Sequence, residues 1–295
     1  MKKSNLIVSA VQQLCNADTA TNLAVSIAQI RAAALANADI VVLPELHLGH
    51  YFCQNEDYNA FALAQTIPGE TSAILSALAK ELAIVIVATL FEKRAAGLYH
   101  NTAVVFDKDG SIAGKYRKMH IPDDPGFYEK YYFTPGDLGF KPIETSIGKL
   151  GILICWDQWF PEAARLMSLA GAELLIYPTA IGWDRQDSQD EKLRQLNAWI
   201  TIQRAHAVAN GLPVIACNRI GFEQAPDSTK GIQFWGNSFI SGPQGELLIQ
   251  AGAEDSQLLI ATIDKARNEK VRQIWPFLRD RRIDEYNDLN KRFID

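Results

Sequence analysis

Short runs of β-branched apolar residues alternate along the chain with longer Ala-rich stretches whose apolar positions recur at helical spacing. Leu6 to Val11 predicts a strand. Thr19 to Leu35 predicts a helix, with Leu23, Ile27 and Ile30 on one face. Ile40-Val41-Val42-Leu43 reads as a second strand, ended by Pro44, and Thr71 to Leu82 as a helix announced by Pro68-Gly69. No polar residue interrupts Ile84 to Val87, which marks a strand covered on both faces. The texture then changes. Asn101 to Phe106 and Ser111 to Tyr116 flank Asp107-Lys108-Asp109-Gly110, the pattern of a hairpin around an Asp-Gly turn.

The same succession returns further on. Leu150 to Ile154, Leu174 to Tyr177 and Val214 to Ala216 predict buried strands, separated by helices over Pro161 to Ala170 and Glu191 to Asn210. A second hairpin is expected from Asn237 to Ile240 and Glu246 to Ile249 around Gly242-Pro243-Gln244-Gly245. The order βαβαβ-hairpin thus occurs twice and hints at two similar halves. No Gly/Ser- or Pro-rich linker divides them, so residues 1–295 read as one α/β domain. Apolar strands and amphipathic helices imply two mixed sheets packed face to face and covered by helices. Residues 265–295, charged but carrying Trp275, Phe277, Tyr286 and Phe293, read as a C-terminal extension that docks on the body or on a partner subunit.

Composition narrows the class. With 29 basic and 34 acidic residues, the net charge of −5 offers no basic face for a nucleic acid. The hydrophobic fraction of 48% is that of a folded domain, and no run approaches the roughly 20 apolar residues of a membrane span. Met1-Lys2-Lys3 before Leu6-Ile7-Val8 resembles the start of a secretion signal, but Gln12, Gln13, Asn16 and Asp18 break the apolar run. None of the four cysteines, Cys15, Cys53, Cys155 and Cys217, lies at CxxC spacing, which removes the usual zinc and redox patterns. Glycine-rich phosphate loops are missing as well. The expectation is a soluble protein of the reducing cytoplasm.

Three segments place a reactive side chain just past a strand. They are Val41-Val42-Leu43-Pro44-Glu45, Lys115-Tyr116-Arg117-Lys118-Met119-His120 and Gly151-Ile152-Leu153-Ile154-Cys155-Trp156-Asp157. In α/β sheets, ligands gather beyond the carboxyl ends of strands. A carboxylate, an ammonium and a thiol brought together there make a nucleophile with its base and a cation for a developing oxyanion. Singly, Glu45 and Lys118 would be ordinary strand-end charges and Cys155 a small core residue.

Taken in order, the segments are more specific. LPEL around Glu45, YRKMHIPD around Lys118 and GILICWDQWFPEAAR around Cys155 resemble the nitrilase, or carbon–nitrogen hydrolase, superfamily. FYEKYYFTPGD at 127–137, AGAELLIYPTAIGW at 170–183 and RAHAVANGLPVIACNR at 204–219 extend the resemblance over most of the chain. IPDDPGFYEKYYFTPGD and the terminal RRIDEYNDL point to a branch acting on N-carbamoylputrescine. The resemblance implies a four-layer α-β-β-α sandwich, a Glu–Lys–Cys triad, no metal or organic cofactor, and association into homo-oligomers through helices and C-terminal extensions.

Carried over residue by residue, the resemblance implies Cys155 as nucleophile, Glu45 as general base and acid, Lys118 as oxyanion support and Glu129 as a second, positioning glutamate. His47 and His120, near these segments, are expected to stay outside the chemistry. The implied substrate is a small carbamoylated amine. For its distal ammonium, Asp123 and Asp124 could supply charge, and Trp156, Trp159 or Trp183 an aromatic face. N-carbamoyl amino acids such as 3-ureidopropionate are the alternative, and they would call for an arginine, Arg185 or Arg219.

Overall fold

A computed structural model describes residues 4–226 and 229–294. The first three residues of the signal-like start and the last residue of the extension, Asp295, lie outside the described residues. The first half runs β1 (Asn5–Gln12), α1 (Thr19–Leu35), β2 (Ile40–Val42), α2 (Glu70–Leu82), β3 (Val85–Ala95), β4 (Leu98–Phe106) and β5 (Ile112–Arg117). Next come β6 (Ile143–Thr145), β7 (Gly148–Ile152), α3 (Pro161–Leu169), β8 (Leu174–Pro178), β9 (Gly182–Asp184), α4 (Gln189–Asn210) and β10 (Val214–Cys217). The chain closes with β11 (Ile220–Gln224), β12 (Gly231–Trp235), β13 (Phe239–Ser241), β14 (Leu247–Gln250), β15 (Gln257–Asp264) and α5 (Lys265–Ile274).

Two six-stranded sheets follow one plan. The first has the order β15-β1-β2-β3-β4-β5 and the second, read from the other edge, β6-β7-β8-β10-β13-β14. In each, three neighbouring strands are parallel, an antiparallel pair extends one side and a single antiparallel strand closes the other. The twofold succession in the sequence is therefore a repeated topology. The outermost strand β15 was not foreseen, because its polar and apolar residues blend into the tail.

Pleating sorts the side chains into layers. Val8, Ala10, Ile40, Val42, Val85 and Val87 point towards the second sheet and share one core with Ile152, Ile176, Val214 and Phe239. The alternate positions Val41, Ile86 and Ala88, with Val104 of β4, face Ile30, Leu75 and Leu78 of α1 and α2. Ala163, Met167, Trp199 and Ala207 of α3 and α4 close the far side. The result is a four-layer α-β-β-α sandwich. Cys217 joins its middle layers, its Sγ lying 3.0 Å from the Val11 carbonyl and 3.4 Å from that of Val42.

Local chemistry fixes the helix ends. Asp18 caps α1 by accepting from the Thr21 N–H, and Ser188 caps α4 by accepting from Glu191. Gly211 ends α4 at φ +60°, a conformation in which a Cβ would be strained. A smaller sheet, ordered β11-β12-β9, and an aromatic cluster of Tyr51, Phe91, Tyr132, Phe133 and Phe234 sit over one end of the sandwich. Both escaped the sequence reading, since their segments are short or have no clear period.

The extension divides in two. Helix α5 packs along the body, with Arg272 reaching the Asn210 carbonyl. Beyond it, Trp275, Phe277, Tyr286 and Phe293 are 39% to 79% exposed. Among the described residues, no helix is long and apolar enough to cross a membrane.

Candidate active site

Glu45 and Cys155 follow β2 and β7, strands buried in the middle of the sandwich, whereas Lys118 follows β5, the edge strand of the first sheet, of which only Tyr116 and Arg117 are buried. The strand ends bring them to one place. Glu129 arrives from a separate short turn, Glu129–Tyr131, seated on the aromatic cluster. The side chains of Glu45, Lys118 and Glu129 are all shielded from solvent.

Lys118 Nζ is the centre of the charge network. It donates to Glu45 Oε1 at 2.8 Å and to both Glu129 oxygens at 2.8 and 2.7 Å. Burial alone would push its pKa down, but the Glu129 and Glu45 carboxylates outweigh this and hold it well above the ordinary lysine value. One ammonium between two carboxylates leaves an excess negative charge in a dry site. Burial, with Glu45 alongside, accordingly raises Glu129 to about 7 against the pull of Lys118.

Glu45 uses its two oxygens differently. Oε1 accepts from Lys118 and, at 2.7 Å, from Asn101 Nδ2. Oε2 is buried and has no hydrogen-bond partner among the described residues. A carboxylate held by one oxygen with the other free is suited to taking and returning a proton.

Cys155 occupies a sharp turn, with φ +44°, uncommon for a residue with a Cβ. Asp157 holds that turn together. Its Oδ2 accepts from the Ile154 N–H at 2.9 Å and from Tyr116 Oη at 2.8 Å, while Oδ1 meets the His120 N–H and Nδ1 at 3.0 and 2.7 Å. His120 also stacks on Phe160 with ring centroids 3.7 Å apart, so its ring braces Asp157. Burial and the Glu45 carboxylate push the Cys155 thiol well up, against the opposing effect of Lys118. That direction favours the thiol over the thiolate, and a thiol needs a base beside it to act as a nucleophile.

A cavity of about 440 Å³ opens from Cys155. Trp156, Trp159, Phe127 and Trp235 form apolar walls, and Asp124, Asp184, Asp187 and Gln195 bring polar groups to it. No lysine or arginine is among the described residues lining this cavity. Asp123 is exposed and not part of the wall. Trp183 stands behind it, its ring 5.4 Å from that of Trp235 and its Nε1 donating to the Lys192 carbonyl.

The two arginines considered for a carboxylate tail are engaged elsewhere. Arg185 lies over the Phe222 ring at 3.6 Å, and Arg219 is fully buried in an ion pair with Glu223. His47 is also buried, with Nδ1 2.9 Å from Ser26 Oγ. Desolvation, aided by Arg219, lowers its pKa to about 3, so it stays neutral. Among the described residues no group of three His, Cys, Asp or Glu side chains could hold a metal ion.

The sequence reading missed Asn101, Tyr51, Asp184, Asp187 and Trp235. Asp157 had a readable signal, an acidic residue at the third position of the turn, placed to accept from the backbone N–H that opens it. The others converge only through tertiary packing.

Known proteins show the same pattern. A carbon–nitrogen hydrolase family profile matches residues 7–273. The chain is 44% identical over 292 residues to an N-carbamoylputrescine amidase of Solanum lycopersicum, covering 98% of this chain and 96% of the relative. It is 41% identical over 295 residues to a citrullinase of Francisella tularensis subsp. tularensis, covering 98% and 100%. The crystal structure of a carbon–nitrogen hydrolase from Helicobacter pylori G27 superposes with a TM-score of 0.95 at 55% identity, covering 98% of this chain and all of that one. The fold, the length of the match and the level of identity agree: this chain belongs to the carbon–nitrogen hydrolase family and is an amidase.

Proposed function

We propose that the enzyme hydrolyses N-carbamoylputrescine to putrescine, carbon dioxide and ammonia. The observation that carries the substrate choice is the cavity: Cys155 at its inner end, three carboxylates towards its outer part and no cationic side chain in its wall. A ureide with a distal ammonium is matched by Asp124, Asp184 and Asp187, and its methylene chain by the tryptophans. A ureide ending in a carboxylate would meet like charge.

The chemistry follows from the inner geometry. Glu45 Oε2 takes the thiol proton as Cys155 sulfur bonds to the ureido carbon, whose carbonyl π pair moves to oxygen. Lys118 stabilises that oxyanion, joined by the Trp156 N–H just past the nucleophile. The C–NH2 bond breaks, and ammonia leaves with the proton returned by Glu45. Glu129 holds Lys118 in place throughout. Glu45 then takes a proton from water as its oxygen bonds to the thiocarbamate carbon. Collapse expels the Cys155 thiolate, which regains the proton, and the released carbamate loses carbon dioxide to give the free amine.

Ammonia release from N-carbamoylputrescine, 3-ureidopropionate and citrulline under matched conditions tests this reading. A kcat/KM for the diamine ureide at least tenfold above both amino-acid ureides is expected. Equal or better turnover of either would overturn the substrate while leaving the reaction class intact. The citrullinase relative makes citrulline the most demanding competitor.

The working form is a homo-oligomer of the cytoplasm. The exposed tail aromatics and Leu166, Leu169 and Leu193 on the outer helices give it apolar surface to bury. All four cysteines are free and buried, as suits a reducing compartment. Sedimentation of the full chain against a form ending after residue 274 tests the contribution of the tail.

A further inference from the structure

Arg219 and Glu223 are both fully buried and 2.8 Å apart, yet neither takes part in the reaction as written. A buried ion pair is weak ground for stability, because desolvating two charges offsets most of their attraction. What distinguishes this pair is its other contacts. The guanidinium donates through Nη2 to the carbonyls of Glu45 and Leu46, at 2.7 and 2.8 Å, and through Nη1 to that of Gly49 at 3.1 Å. Glu223 spends one oxygen on Arg219 and the other on the Tyr51 N–H, at 2.5 Å. Tyr51 Oη in turn donates to Glu129 Oε1 at 2.6 Å.

These contacts close on one segment, residues 45–51, which begins at Glu45 and ends at Tyr51. Leu46 has φ +49°, so the chain turns sharply just after Glu45 and sends successive carbonyls towards the guanidinium. Three buried acceptors facing one way need a planar donor fork; an ammonium on a flexible stem does not span them.

We propose that the Arg219–Glu223 pair is a positioning unit for both carboxylates of the site, holding Glu45 through its backbone and Glu129 through Tyr51. The proposal rests on the reading that Glu45 is the base. Its leverage is geometric: a shift of about 1 Å at a reacting group can cost on the order of 100-fold in rate. Arg219→Lys keeps the charge but loses the fork. Glu223→Gln keeps one acceptor and gives up the other, whereas Glu223→Ala removes both.

Two readouts test it: kcat and KM for the ureide, and the rate of Cys155 alkylation by iodoacetamide, located by mass spectrometry. Each variant is assayed well below its own melting temperature. The expected order of loss is Arg219→Lys, about 30- to 100-fold in kcat, then Glu223→Ala, then Glu223→Gln. KM should stay within about twofold of wild type, and alkylation should slow in the same order. If Arg219→Lys does not fold, the partial rescue of Glu223→Ala by Glu223→Gln carries the test. Variants that melt earlier but keep wild-type kcat and alkylation rates would reduce the pair to a structural role, as would an effect confined to KM. Alkylation needs no substrate, so a wild-type enzyme inactive on N-carbamoylputrescine would sink the substrate reading and leave this test standing.

Discussion

The inner and outer ends of the cavity are built on opposite electrostatic terms. Behind the inner end, where Cys155 forms the wall, Glu45, Lys118 and Glu129 are sealed from solvent, and Lys118 binds both carboxylates within 2.8 Å. At the outer end Asp124 and Asp184 are exposed and Asp187 is half-buried; Asp184 accepts from the Gln186 N–H and Asp187 from the Gln195 side chain, both neutral donors. Inside, removing one partner strands a charge that water cannot reach, at a cost of several kcal/mol. Outside, solvent screens each charge, and an ion pair contributes about 1 kcal/mol or less. The proposed function thus anchors the chemistry where errors are expensive and the selectivity where they are cheap. One fold can keep its reaction while its substrate drifts.

The strongest way to break this comparison is at the thiol. Cys155→Ala should lower kcat by roughly four orders of magnitude or more, with the fold kept, since in the proposed mechanism the residue supplies the bond-forming atom. Loss of that size should appear with every ureide in the panel. Retained turnover would move the nucleophile elsewhere. Glu45→Gln comes next, at about 10³-fold, because general-base activation contributes roughly 10²- to 10⁴-fold and the raised thiol of Cys155 leaves little thiolate at neutral pH. The amide still accepts from Lys118 but cannot carry the proton. Circular dichroism and kinetics on the same preparation separate this from unfolding.

Glu129 sharpens the comparison through pH. Its pKa rises from 4.5 to about 7 on folding, so between those values the folded state binds the extra proton. Stability from this group is present below pH 4.5 and is lost as pH rises through 7. Glu129→Gln cannot titrate. The melting temperature of wild type minus that of the variant should therefore fall by a few degrees from pH 4.5 to pH 8, read by scanning calorimetry. A difference that stays flat or rises would remove the titration from Glu129. In kcat the same substitution should cost about 10²-fold, less than Glu45→Gln, because in the proposed mechanism Glu129 holds the lysine rather than moving the proton.

The difference between the two ends also explains what the sequence made legible. The strands before Glu45 and Cys155 announce themselves by near-continuous Val, Ile and Leu, because a strand sealed on both faces tolerates little else, whereas the half-exposed edge strand before Lys118 is legible from its hairpin pattern. Position past a strand, together with the ordered motifs, was enough to nominate all three and Glu129. Asn101 was invisible as a site residue, since it lies within the predicted hairpin and meets Glu45 only once the strands pair. The outer end follows no period at all. Asp184 and Asp187 reach the cavity by the pairing of β9 with β12 and by the start of α4, and local spacing encodes neither. Asp123 and Asp124 are identical to a sequence reader, yet the turn in which Asp124 pairs with Phe127 brings only the second to the wall. Arg219 was weighed as a substrate ligand because the sequence did not exclude it; its carbonyl partners lie 170 to 174 residues away along the chain.

The smallest effects belong to the outer carboxylates, and they bear most directly on substrate choice. Asp184→Asn and Asp187→Asn should each raise KM for N-carbamoylputrescine by roughly two- to fivefold, the range set by a screened ion pair, with kcat nearly unchanged. Asp124→Asn should behave alike, and Asp123→Asn, off the cavity wall, should not. Raising ionic strength from 0.05 to about 0.5 M should weaken wild-type binding and shrink the difference between wild type and these variants, because salt screens exposed charges. 3-Ureidopropionate provides the opposing sign: removing a carboxylate should improve its KM by a similar factor. If neutralising all three leaves the ratio of the two ureides unchanged, the ammonium is read elsewhere. The contrast between a fixed inner end and a selective outer end would then have to be redrawn around the tryptophan walls.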